Sequence, residues 1–159
     1  MLIDMATSDP PLPDSEEWHK EANVQKALVA TLLDRGWRIL SVKNTASREG
    51  GVDVIADRDG QTMGAEVKGY PTVGYADPKR ADEKKKAKPQ GQAGNWYAKA
   101  ILAAMKLRSA EPDWVSVIVL PMVPRYLELY AQTKESLDVA QIEVWWIERS
   151  GDLVKKATI

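Results

Sequence analysis

Gly51–Lys68 reads GVDVIADRDGQTMGAEVK, and the way this stretch pairs with itself decides the fold. Two strand-like runs, Val52–Asp57 and Thr62–Lys68, flank Arg58-Asp59-Gly60-Gln61. Asp-Gly between two such runs is a strong hairpin signal, because the tightest hairpin turn needs residues that tolerate positive φ. With Asp59-Gly60 as a two-residue loop, Arg58 faces Gln61, and the same register sets Asp53 opposite Glu66. Side chains alternate along a strand. Asp53, Ile55 and Asp57 therefore share one face. Gly64, Glu66 and Lys68 share a face of the second run, with Met63, Ala65 and Val67 behind. Directly opposed like charges destabilise a sheet, and their Cβ atoms would lie ~4.5–5.5 Å apart. At about 5 Å two anions repel by ~3 kcal/mol at an effective dielectric near 20. A divalent cation would offset that repulsion, and one or two carboxylates plus waters suit Mg²⁺. Lys68 points to the same side, within reach of a metal's water or a phosphate oxygen.

Outward from the hairpin, the pattern continues as alternating elements. Glu16–Asp34 has helical periodicity, with Val24, Leu28 and Leu32 recurring every fourth residue. Asp14 or Ser15 suits its N-cap, and Gly36 its end. At ~100° per residue, Glu21 continues the apolar stripe of this helix. A carboxylate there is rarely buried unless it is paired or bound to metal. Trp37–Val42 reads as a strand, and Lys43–Gly51 as a polar loop. Past the hairpin, Gly69–Gly91 is a long loop with three prolines, a length that is usually functional or disordered. Gln92–Arg108 reads as a helix and Trp114–Leu120 as a strand buried on both faces. Val123–Lys134 reads as a helix, then Val139–Ile147 and Leu153–Lys156 as strands. The order α β β β α β α β (β) implies an α/β fold with a central mixed β-sheet flanked by helices. Met1–Ser15, with three aspartates and three prolines, reads as a disordered acidic lead-in to a single domain spanning 16–159.

Composition narrows the chemistry. With 159 residues the chain is long enough for one domain that buries its own core. It has no cysteine and one histidine, His19, which excludes zinc fingers, iron–sulfur sites, thiol nucleophiles and multi-histidine metal centres. Twenty-two basic and 23 acidic residues leave a net charge of −1, so the chain is no globally basic nucleic-acid coat, though a local basic patch stays open. No apolar run reaches the ~18 residues of a membrane helix, and Met1–Pro13 does not read as a signal peptide, so a cytoplasmic location is expected.

Taken singly, each candidate has an ordinary reading. The acids could be a solvated hairpin face, and Glu21 a helix-end charge. Together, Gly51-Val52-Asp53, Glu66-Val67-Lys68 and Glu21 on the preceding helix resemble the PD-(D/E)XK nuclease superfamily. The resemblance is to the branch that includes Mrr-type restriction enzymes and archaeal Holliday-junction resolvases. It covers about Glu21 to Trp96 and implies a restriction-endonuclease-like αβββαβ core. One departure is Val52 before Asp53, where the family motif has proline. The resemblance implies Mg²⁺-dependent hydrolysis of DNA phosphodiesters, with Mn²⁺ able to substitute. It implies metal binding by Asp53, Glu66, Glu21 and the carbonyl of Val67, with Lys68 orienting or deprotonating the attacking water. A glutamine on the following helix maps to Gln92, with Gln90 as a competitor.

DNA contacts are expected from the basic run Lys79–Lys88 (KRADEKKKAK), through Lys79, Arg80, Lys84, Lys85, Lys86 and Lys88. Lys43 and Arg48, before Asp53, are further candidates. The bland alternative for the run is a solvating loop. Trp96 and Tyr97 would pack in the core or stack on a base. Trp145 and Trp146 alternate faces, which suggests one core ring and one at an edge or oligomer interface. His19 reads as a surface helix residue. Three functions compete: an endonuclease in defence, repair or recombination; a catalytically silent nucleic-acid-binding module or subunit of a larger nuclease complex; and an interaction domain with an ordinary charged hairpin. A homodimer, or a partner protein supplying specificity, is expected by resemblance only.

Overall fold

A computed structural model of the chain describes residues 16–44, 50–71, 79 and 88–157. The hairpin forms as its turn chemistry requires. Asp59 and Gly60 take φ of 52° and 81°, the two positive values of the tight turn. β2 (Val54–Arg58) and β3 (Gln61–Val67) pair antiparallel from Arg58–Gln61 back to Val54–Ala65. Continued by one residue, this register opposes Asp53 to Glu66.

The remaining elements extend this hairpin into a mixed sheet. A 3₁₀ turn (Glu16–His19) leads into α1 (Glu21–Asp34), and Gly36 at φ 84° lets the chain reverse into β1 (Arg38–Val42). β1 lies antiparallel to β2, with a bulge between Ile39 and Ser41. α2 (Pro89–Ala110) crosses from β3 to β4 (Val115–Pro121), which runs parallel to β3. α3 (Pro124–Val139) makes the same kind of crossover to β5 (Ile142–Ile147), and β6 (Leu153–Val154) closes the edge antiparallel. The sheet order is β1-β2-β3-β4-β5-β6.

Two cores lie on the two faces. On one, Val24, Leu28 and Leu32 of α1 pack on Val54, Ala56, Met63, Ala65, Val67, Val117 and Val119. On the other, Ala93, Tyr97, Ala100 and Ala104 of α2 and Tyr126 and Leu137 of α3 pack on Ile118, Leu120 and Val144. The alanines of α2 recur at helical spacing, so the helix can sit close to the sheet. β4 is buried on both faces, as its continuous apolar run requires.

Four local expectations are corrected. α1 begins at Glu21, after Lys20, whose side chain makes no cap bond; the backbone carbonyl of Lys20 instead accepts from Asn23 and Val24. The preceding Glu16–His19 is a separate 3₁₀ turn, so the N-cap position of α1 falls to Lys20, and the expected caps Asp14 and Ser15 lie outside the described residues. Val139 ends α3 rather than starting β5, and Gln141 at φ 59° makes the turn between them. Trp145 and Trp146 are both core residues, one in each face's cluster, because β5 is covered on both sides. His19 is buried, edge-on to the rings of Trp18 and Tyr70. The acidic lead-in Met1–Ser15 lies outside the described residues.

Candidate active site

Strand polarity gathers the candidate residues at one end of the sheet. β1 ends there, β2 begins there, and the parallel strands β3, β4 and β5 end there. Each helix runs back along the strand it joins, so the N-termini of α1, α2 and α3 lie at that end too. In open α/β sheets this carboxyl end is where ligands bind. Glu21 starts α1, Lys43 follows β1, Asp53 precedes β2, Glu66 and Lys68 sit at the end of β3, and Gln92 lies in the first turn of α2.

Asp53 is buried and held from several directions. Its Oδ2 accepts from the Val67 backbone N–H at 2.8 Å, taking the place of the next carbonyl in the β2–β3 ladder. Its own carbonyl accepts from the Lys43 N–H at 2.8 Å. The Lys43 ammonium stands 3.5 Å from Oδ1. Lys43 is set in turn by Gln25 of α1, whose side-chain amide donates to the Lys43 carbonyl at 2.7 Å. Glu66 is paired with Lys68 at 3.1 Å, both side chains being largely covered. The Lys68 backbone N–H donates to the Val119 carbonyl, continuing the parallel ladder past Val67.

Glu21 joins this group from the other face of the sheet. Its carboxylate accepts from the Gly69 N–H and feels the charges of Lys68, Asp53 and Lys43. Burial pushes its carboxyl above the ordinary carboxylate range, with Asp53 adding to the rise and Lys68 opposing it. Burial likewise raises Glu66, and the charge of Asp53 raises it further against the opposing pull of Lys68. Asp53, opposed to Glu66 across the hairpin, is therefore close enough to disfavour the charge of Glu66.

Among the described residues, no three histidine, cysteine, aspartate or glutamate side chains converge closely enough to hold a metal as they stand. Amines and backbone N–H groups take up the carboxylate oxygens instead. The donor chemistry still fits a hard dication: the acids are carboxylates, partly desolvated and mutually repelling, and Mg²⁺ needs only one or two of them beside its waters.

The other sequence candidates divide. Gln92 is half-buried, and its side-chain carbonyl is buried with no hydrogen-bond partner among the described residues, whereas Gln90 is exposed. Lys79 and Lys88 are exposed. Arg48, Arg80, Lys84, Lys85 and Lys86 lie outside the described residues. Tyr97 is core, its hydroxyl 2.6 Å from that of Thr133, and Trp96 is half-buried. Sequence reading did not find the ion pair of Lys43 with Asp53, nor the contacts of Gly69 and Tyr126 beside Glu21. These depend on long-range packing, and only the glycine directly after Lys68 gave a local hint.

No family model matches the chain, and no curated protein matches it. Solved structures do. An fdxN element excision controlling factor protein from Anabaena variabilis superposes with a TM-score of 0.50 at 20% identity, over 82% of this chain and 95% of its own. An XisH family protein from Nostoc punctiforme PCC 73102 gives a TM-score of 0.49 at 19% identity over the same shares. At this identity, the first likeness shows a shared fold. Among the described residues no helix is long and apolar enough to cross a membrane.

Proposed function

We propose that this chain is a Mg²⁺-dependent endonuclease that hydrolyses DNA phosphodiester bonds. The observation that carries the reading is the meeting of Asp53, Glu66 and Lys68 with Glu21 at the carboxyl end of the sheet, two of the acids with raised proton affinity. The name of the Anabaena protein, an excision controlling factor, is compatible with work on DNA but does not carry the reading.

Asp53, Glu66 and the Val67 carbonyl would hold the ion, with Glu21 completing the set. A bound dication supplies charge that polarises a phosphate and lowers the pKa of water. The chain's own residues do the rest. The Val67 N–H keeps the Asp53 carboxylate aimed. Lys68 orients the attacking water and stabilises the negative charge that develops on the phosphate. The amide carbonyl of Gln92, buried at the same end, has no hydrogen-bond partner among the described residues.

Supercoiled plasmid, incubated with the chain in Mg²⁺ or Mn²⁺, should be nicked, and EDTA should stop it. Asp53→Ala, Glu66→Ala and Lys68→Ala should each abolish nicking while the fold survives by circular dichroism. Full activity in any one of them would refute the assignment. One observation favours a second reading, a catalytically silent nucleic-acid-binding module: Lys43 and Lys68 already neutralise Asp53 and Glu66. Calorimetric titration with Mn²⁺ separates the two, since a silent module of that kind should bind DNA and no metal.

A further inference from the structure

Tyr126 lies near the start of α3 and is fully buried. Its hydroxyl donates to the Gly69 carbonyl at 2.7 Å. The same peptide is held at its other end, where the Tyr70 N–H donates to the His19 carbonyl at 2.8 Å. On the near side, the Gly69 N–H donates to the Glu21 carboxylate. Three hydrogen bonds from three elements thus meet at Gly69 and the N–H of Tyr70 beside it, directly after Lys68.

The glycine is required by closeness. A Cβ at Gly69 would lie 2.3 Å from the Glu21 nitrogen and 2.7 Å from the His19 carbonyl oxygen. The chain leaving β3 is therefore pressed against the start of α1, and it can approach so closely only without a side chain. Ring packing backs the same contact. Tyr126 meets Tyr70 edge-on at 5.6 Å between ring centroids, and Tyr70 meets His19 at 5.5 Å. Burial raises the Tyr126 hydroxyl well above its ordinary pKa, so it stays a donor.

We propose that Tyr126 is a positioning residue: by holding the Gly69 carbonyl it fixes the chain leaving β3 against the first residue of α1, and so sets Lys68 and Glu21 against Asp53 and Glu66. The role of that arrangement in turnover rests on the nuclease reading above; the mechanical link does not.

Tyr126→Phe keeps the ring and removes the donor. Amide exchange followed by NMR should speed up about tenfold at Gly69 and Tyr70, while Val117 and Val119 in the central strand stay unchanged. Nicking should lose about tenfold in kcat with KM for DNA unchanged. Gly69→Ala, which pushes the same segment away from α1 and leaves Tyr126 intact, should lower kcat at least as much. A merely structural tyrosine would instead speed exchange throughout the core. Unchanged exchange at Gly69 and Tyr70 in Tyr126→Phe would overturn the proposal, as would faster local exchange with undiminished kcat in an active enzyme. If the wild-type chain nicks nothing while Tyr126→Phe still frees the Gly69 amide, the nuclease reading fails and the link from α3 to the chain leaving β3 stands.

Discussion

Glu66 is a carboxylate placed where its charge is disfavoured. Burial raises its carboxyl from the ordinary value of 4.5, and the charge of Asp53 adds to that rise. Glu21 is raised mainly by burial. A raised native pKa means that the folded chain binds the proton more tightly than the unfolded one. Its contribution to stability is full below the unfolded value near 4.5 and is lost as pH rises through the higher folded value. At neutral pH the ionised acid therefore weighs against the fold, as strain at functional sites often does. Glu66→Gln should raise Tm at pH 7 by about 2–4 °C, what ~1 kcal/mol is worth in a chain of this size. The gain should vanish at pH 4, where the wild-type side chain is already neutral. Melting curves at the two pH values check this, and a lower Tm for Glu66→Gln at pH 7 would show that its pairing with Lys68 outweighs the burial. Asp53, Glu66 and Lys68 were legible in the sequence because alternation is a local rule. The ammonium of Lys43 on Asp53 was not, since Gln25 on a different element places it.

At the scale of elements, local chemistry again separates what was legible from what was not. The hairpin register followed from Asp59-Gly60, because a two-residue turn leaves no freedom in pairing. The start of α1 did not follow from its capping residues. Contacts of His19 and Glu21 with Gly69 and Tyr70 set it, and these come from the far side of the sheet. Close approach also shapes the packing of α2 on β3. A Cβ at Gly64 would lie 2.6 Å from a terminal methyl of Leu107, 3.3 Å from Val52 and 3.4 Å from Trp114. Leu107 borders a mostly apolar cavity of about 320 Å³, which Val52 and Glu66 also line, so its tip has room to turn away. Gly64→Ala should therefore cost about 1 kcal/mol, the low end for overpacking. In a Leu107→Ala background the same change should cost little, because the clashing methyl is gone. Urea denaturation of the four chains measures the coupling, and equal costs in both backgrounds would place the strain at Val52 or Trp114 instead.

Across the whole molecule, the two ends of the sheet differ in what they hold. One end carries the acids, Lys43, Lys68 and the N-termini of all three helices. The other is closed by structural cations: Arg58 lies over the Trp37 ring, Lys155 over the Trp145 ring, and Arg108 bonds the carbonyls of Gln141 and Trp114. The order of elements revealed the layers of this fold. It could not reveal that β5 would be covered on both faces, so alternation alone expects one of Trp145 and Trp146 at an edge or oligomer interface where both are core. The same polarity sorts the basic residues, although a net charge of −1 says nothing about where they lie. Lys88 is exposed at the N-cap of α2, at the carboxyl end of the sheet, whereas Lys155 packs on Trp145 toward the hairpin-turn end. If DNA approaches the carboxyl end, Lys88→Gln should weaken DNA binding and reduce the slope of log K against log salt by about 0.9, the value for one phosphate contact on B-DNA. Lys155→Gln should leave the slope unchanged. Fluorescence anisotropy with labelled duplex between 50 and 200 mM salt, roughly the range over which counterion release is read, distinguishes the two ends. A slope that moves with Lys155 and not with Lys88 would put the DNA at the opposite end of the sheet, out of reach of Asp53 and Glu66.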